Sequence, residues 1–207
     1  MAKLVAIFVR HGQTEANKEK KFRGPLNVPL DAVGKRQAVE ARSHVASLLQ
    51  GQPAGSAFVS SKDRSRETGD IVLGPGKTHI VKNFDPLNVG KFAGQPKNDP
   101  NMKAITYYQS HPDEKIPGGE RLSDFRKRVN PEIMMAIRQG EESGRPSISF
   151  VHSSTIHQIS HLLHHDHNAV KVTPGGIVGV YKTPDGRYVA KTLLHESQNQ
   201  QDKHMVS

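Results

Sequence analysis

Apolar residues fall along this chain in short blocks whose spacing switches between strand and helix periods. Leu4-Val5-Ala6-Ile7-Phe8-Val9 is an unbroken apolar run, the pattern of a strand buried on both faces. Ala38, Ala41, Val45, Leu48 and Leu49 then recur at helical spacing and stop near Gly51, a residue suited to a helix end. Ala57-Phe58-Val59 predicts a short buried strand. Residues 63–73 predict a helix closed by Gly74-Pro75-Gly76, and His79-Ile80-Val81 a further strand. Beyond Glu120, the residues Leu122, Phe125, Val129, Ile133, Ala136 and Ile137 line one face of a long helix, with Pro131 expected to bend it. Residues 147–151 predict a strand that ends on His152, and 155–165 a helix. Residues 177–182 and 187–194, joined by Pro184-Asp185-Gly186, predict a hairpin.

This alternation predicts an α/β fold, a three-layer sandwich around a mostly parallel central sheet. In such a fold Arg10-His11, Ser60-Ser61 and His152 each follow a different strand, so three loops converge at one carboxyl edge, where open α/β sheets bind ligands. Gly12 allows a substrate or another backbone to come close to His11. Residues 17–31, with Gly24, Pro25 and Pro29, predict an ordered loop. Residues 84–117 hold five prolines and little periodicity, predicting a cap over the site with a short helix near 101–109. The expected organisation is one domain over 1–196 and a polar tail over 197–207.

Composition narrows the chemistry. The 207 residues contain no cysteine, which excludes disulfides and thiolate metal sites. Six apolar residues running into Arg10 are too few for a signal-peptide core or a membrane span, so the chain reads as cytoplasmic without a membrane partner. Lys and Arg number 29 against 20 Asp and Glu, a formal net charge of +9 that favours anionic partners. The densest basic cluster, Lys18, Lys20, Lys21 and Arg23, reads either as a solvated loop or as a device that steers substrate. No aromatic interleaving or nucleic-acid module accompanies it. The oligomeric state has no signature in the sequence.

The motifs point further. Arg10-His11-Gly12-Gln13-Thr14-Glu15-Ala16-Asn17 resembles the signature of the histidine phosphatase superfamily, the phosphoglycerate mutase-like fold. Phe22-Arg23-Gly24, Pro29-Leu30-Asp31 and Gly34-Lys35-Arg36-Gln37-Ala38 are similar to the segment that follows it. Ser60-Ser61-Lys62-Asp63-Arg64-Ser65-Arg66-Glu67-Thr68 resembles the second-arginine motif, and Pro117-Gly118-Gly119-Glu120 and Phe150-Val151-His152-Ser153 resemble later landmarks. The match spans roughly residues 3–165, with five motifs in order. More loosely, the proline-rich acid motif resembles histidine phosphatases encoded by bacteriophages.

The resemblance implies that His11 attacks phosphorus and becomes a phosphohistidine, which water hydrolyses. It implies that Arg10 and Arg64 clamp the phosphoryl oxygens, that His152 completes the pocket, and that Asn17, Arg23, Gly24 and Ser153 line the phosphate site. Residue chemistry agrees: imidazole is unprotonated near neutral pH, and guanidinium forks suit planar oxygen pairs. Arg66 competes with Arg64, but aligning Thr68 with the family threonine puts Arg64 in register and leaves Arg66 a helix-surface residue. Glu15 reads as a loop anchor and Thr14 as a hydrogen-bond donor to the loop or the phosphate.

The acid is where the sequence departs. The family glutamate that protonates the leaving oxygen would fall at Pro86, ahead of Gly90-Lys91-Phe92-Ala93-Gly94. Asp85 is the nearest substitute, and Glu120 a second candidate that also reads as a carboxylate favoured at a helix start. His157, His161, His164, His165 and His167 invite a metal site, yet no carboxylate sits between His157 and His161 as in the zinc-protease motif, so no metal or cofactor is expected. The expected function is a metal-independent phosphatase acting on a small phosphomonoester. The competing readings are a phosphoglycerate mutase, which requires arginines that Ile105-Thr106-Tyr107-Tyr108-Gln109-Ser110-His111 lacks, and a catalytically weak phospholigand-binding module.

Overall fold

A computed structural model describes residues 1–195, so the tail expected from Ser197 lies outside the described residues. The strands are β1 (Lys3–Arg10), β2 (Ala57–Val59), β3 (His79–Ile80), β4 (Ser147–Val151), β5 (Ile177–Lys182) and β6 (Tyr188–Leu194). The helices are α1 (Glu15–Lys18), α2 (Ala32–Leu49), α3 (Asp63–Leu73), α4 (Asp99–Ser110), α5 (Leu122–Ser143) and α6 (Ser153–His164). The strands form one sheet in the order β3-β2-β4-β1-β5-β6. β1, β2, β3 and β4 are mutually parallel, while β5 runs antiparallel to both β1 and β6. This is the expected sandwich with a mostly parallel sheet.

Alternation along β1 explains the layers. Ile7 and Val9 pack with Ala41 and Val45 of α2 and Val72 of α3. Ala6 and Phe8 face the other way, onto Phe125, Val129, Ile133 and Ile137 of α5 and Ile156 and Ile159 of α6. Both faces of the central strand are therefore dry, which is why it carries no polar residue from Leu4 to Val9. Pro131 lies inside α5, and Val129 and Ile133 on either side of it remain fully buried.

Two segments hold more structure than their sequence announced. The loop after β1 contains α1, closed by a reciprocal box in which Thr14 and Asn17 satisfy each other's groups. Within 84–117, α4 starts at Asp99, ahead of the expected 101, because Asn98 caps it by accepting from the Asn101 amide. This segment has its own small core of Phe22, Val89, Phe92, Ile105 and Ile116.

The register places the site. Val9 and Val59 both pair with Phe150 across β4, so β2, β4 and β1 end level and side by side. The ladder extends one residue beyond the strands: the His11 amide donates to the Val151 carbonyl at 3.0 Å and the Ser60 amide to Phe150 at 3.2 Å.

Candidate active site

His11 is fully buried at the end of β1, and the loop that carries it is pinned from two sides. A Cβ on Gly12 would fall 2.3 Å from the Gly34 carbonyl oxygen, so the close approach that this glycine permits is to the backbone of α2. The Gly12 amide donates to Thr68 Oγ1 at 3.2 Å, tying the loop to α3. Nδ1 of His11 lies 2.7 Å from the Gly12 carbonyl oxygen, and a carbonyl only accepts, so Nδ1 carries the proton. Nε2 lies 3.1 Å from Nη1 of Arg23, and a guanidinium only donates, so Nε2 holds the lone pair. Two independent partners thus assign one tautomer, with the unprotonated nitrogen turned toward the cations. Burial, and then the charges of Arg23, His152, Arg64 and Arg10, push the imidazole pKa well below its ordinary value, which keeps it neutral at pH 7.

Three arginines surround it. Nη1 of Arg23 also donates to Oδ1 of Asn17 at 2.6 Å, and that oxygen accepts from the amide and hydroxyl of Thr14. Asn17 therefore orients Arg23. Arg64 donates to the carbonyls of Leu26 (2.6 Å) and Gly24 (3.1 Å), and Gly24 sits at φ +48°, where its backbone can present that oxygen. Arg10 donates to the Val172 carbonyl at 2.7 Å. Nε of Arg10 and Nε of Arg64 are buried without a hydrogen-bond partner among the described residues. Burial lowers Arg10 and Arg64 to about 10. Burial together with Arg10 and Arg64 lowers Arg23 to about 8. All three remain cations at pH 7, packed around neutral partners with donors to spare, which is an environment short of negative charge. Arg66, by contrast, is exposed on α3.

His152 stands across from His11, the ring centroids 5.2 Å apart. Its Nε2 is 2.7 Å from Ser60 Oγ. That hydroxyl spends its one proton on Oδ1 of Asp85 at 2.8 Å, so the histidine donates Nε2–H to the serine. Its Nδ1 is buried with no partner. Burial and the neighbouring cations, Arg64 first, hold this imidazole well below its ordinary range too.

The chain Asp85–Ser60–His152 changes the reading of Asp85. Its carboxylate also accepts from the amide and hydroxyl of Ser61 and lies 3.6 Å from Nζ of Lys62. Burial alone would raise its pKa. The hydrogen bonds from Ser61 and Ser60, with Lys62, outweigh burial and hold it below the usual carboxylate range. These bonds make Asp85 an acceptor shared by the two strand-end serines. Glu120 is committed elsewhere: it accepts from Arg128 at 2.7 and 3.0 Å and from the Asn88 amide at 2.8 Å.

A cavity of about 430 Å³ adjoins this group, and Arg10, His11 and Asn17 lie outside its lining. Arg23, Gly24, Arg64, His152 and Ser153 line one part of it, and Phe22, Val89, Met102, Ile105, Leu122 and Phe125 line another. Lys97 also lines it, beside the Phe22 ring. Sequence reasoning missed Lys97 because it follows a proline in an aperiodic stretch. Of the basic cluster, Lys18 and Lys21 pair with Glu15 and Glu19 at the surface, and Arg23 alone turns into the site. Of the histidine cluster, His157 and His167 line the cavity, His161 stacks on His167 at 4.1 Å, and His164 bonds Ala190.

A strand-end imidazole with its lone pair facing buried arginines defines a phosphoryl-handling class of α/β protein. Residues 6–190 match the model of the histidine phosphatase superfamily (branch 1), and the chain belongs to that family. It is 29% identical over 204 residues to a 2,3-bisphosphoglycerate-dependent phosphoglycerate mutase of Parvibaculum lavamentivorans, covering 92% of this chain and 96% of the relative. It is 31% identical over 137 residues to fructose-2,6-bisphosphatase TIGAR B of Danio rerio, covering 62% of this chain and 51% of that protein. Among solved structures, a phosphoglycerate mutase from Thermus thermophilus superimposes with a TM-score of 0.68 at 24% identity, over 92% of this chain and 99% of the other. A mycobacterial glucosyl-3-phosphoglycerate phosphatase in complex with VO3 gives 0.72 at 18% identity, over 92% and 98%. At such identities the two structures speak to the fold alone.

Proposed function

We propose that this chain is a metal-independent phosphatase that hydrolyses phosphomonoesters through a phosphohistidine on His11. The observation that carries the reading is the tautomer of His11: Nδ1–H is fixed on the Gly12 carbonyl and the Nε2 lone pair faces Arg23. In the first step Nε2 bonds to phosphorus as the bridging P–O bond breaks, and the leaving oxygen takes the electron pair. In the second, a water oxygen bonds to phosphorus, the N–P bond breaks, and inorganic phosphate departs while the water proton goes to solvent. Arg10, Arg23 and Arg64 hold the three equatorial oxygens. The arriving anion takes up the spare donors of Arg10 and Arg64 and draws Arg23 off the His11 lone pair. His152 keeps its Nε2–H on Ser60 and lines the same space. Ser153 and Gly24 border the same space.

A mutase returns the phosphoryl group to a second hydroxyl and needs cations for an acid group on its substrate. The segment of α4 that borders the cavity offers Met102, Ile105 and Gln109, which favours hydrolysis. The test is release of inorganic phosphate from an aryl phosphate in excess EDTA, run beside a 3-phosphoglycerate isomerisation assay primed with 2,3-bisphosphoglycerate. Phosphate release within about twofold of the chelator-free rate is the expected result. Isomerisation faster than release would make it a mutase, and tight phosphate binding without turnover would make it a binding module.

A further inference from the structure

The cavity beyond the arginines has two properties that bear on the substrate. Its walls on the cap side come from two packed cores: Phe22, Val89 and Ile105 belong to the cap core, Leu122 and Phe125 to the main core. These side chains are fixed by packing behind them and present an apolar slot suited to a ring-sized group. Second, among the described residues no Asp or Glu lines the cavity, and two of its imidazoles hold a proton in a hydrogen bond. His152 donates Nε2–H to Ser60. His157 donates Nδ1–H to the His167 carbonyl at 3.0 Å. His167 accepts at Nε2 from Arg126 at 3.3 Å.

We infer that the substrate of this site is an aryl phosphate, an ester whose phenol-like ring occupies the apolar slot and whose oxygen departs without a protein acid. This rests on the phosphatase reading above and names its substrate class. The P–O(aryl) bond breaks as Nε2 of His11 bonds to phosphorus, and the phenolate leaves with the electron pair and takes its proton from water. A phenol, with a pKa about 10 like that of tyrosine, leaves readily as an anion. An alkyl alcohol does not, and it loses the ~10²–10⁴-fold that a positioned acid supplies.

Three esters and one acyl phosphate separate ring fit from leaving-group acidity: 1-naphthyl phosphate (ring, good leaving group), cyclohexylmethyl phosphate (ring, poor), glycerol 2-phosphate (neither) and the mixed anhydride acetyl phosphate (no ring, good). The naphthyl ester should exceed the cyclohexylmethyl ester at least ~100-fold in kcat/KM, and acetyl phosphate at least ~10-fold. Met102, 43% exposed on α4 and lining the cavity, is a safe place to alter the wall. Met102→Gln should raise KM for the naphthyl ester about fivefold, and by more than it raises KM for acetyl phosphate. Turnover of either alkyl ester within tenfold of the naphthyl ester overturns the inference while leaving the phosphatase standing. Failure of all four compounds overturns the phosphatase reading, and this one with it.

Discussion

Nη1 of Arg23 caps the lone pair of His11 at 3.1 Å, while Asn17 holds the same nitrogen at 2.6 Å. One guanidinium therefore covers the His11 lone pair while Asn17 fixes its position.

Replacing that fork with a single ammonium should be costly even though the charge is kept. Arg23→Lys should lower kcat/KM about 10²-fold, the usual loss when one preorganised donor is removed, and Arg23→Ala only slightly more. Steady-state kinetics on 1-naphthyl phosphate check this. Full activity in Arg23→Lys would mean that charge alone, without the fork, serves the site.

Asp85 and Glu120 make opposite predictions under the two readings of the acid. With Asp85 positioning Ser60 and through it His152, Asp85→Asn should slow aryl and alkyl esters by the same factor. A loss concentrated on alkyl esters would restore Asp85 as the acid. Glu120→Gln should act on folding instead: it weakens the charge-assisted bonds to Arg128 and should lower unfolding free energy by about 1–3 kcal/mol in urea titrations, with kcat little changed.

The two buried imidazoles set a pH signature. Both are held well below the ordinary histidine value, chiefly by burial, so below about pH 6.5 the unfolded chain binds protons that the folded chain does not. The unfolded state then gains relative to the folded one, and stability falls as pH falls. The loss is up to about 1.4 kcal/mol per pH unit for each histidine until the folded pKa is reached. Urea midpoints between pH 7.5 and 5 should decline, and part of the decline should vanish in His152→Gln. Because His11 stays neutral, kcat/KM should not drop with a midpoint near 6.5. A midpoint there would place an ordinary, solvated histidine at the site.

Much of this arrangement was legible in the residues. β1 and its terminal Arg10-His11 could be read because a run of buried apolar residues has few alternatives, and the level ends of β1, β2 and β4 follow from parallel pairing. Arg64 was separable from Arg66 by register, and burial divides them the same way. What escaped depends on contacts between distant residues. The bond from Ser60 to Asp85 joins positions 25 apart, and no local pattern marks a carboxylate as an acceptor rather than an acid. α1 was missed because four residues are too few to show periodicity. Lys97 reaches the cavity only because the cap folds over it.

The central claim is a covalent bond between His11 and phosphorus, and the most direct test is to trap it. The enzyme is mixed with excess 1-naphthyl phosphate, quenched at alkaline pH because phosphohistidine is labile in acid, and mapped by peptide mass spectrometry. The account predicts one phosphoryl group on the peptide bearing His11, absent from His11→Ala, with turnover abolished in that variant while its unfolding transition stays cooperative. Wild-type turnover in His11→Ala, or a phosphoryl group on another residue, would contradict it.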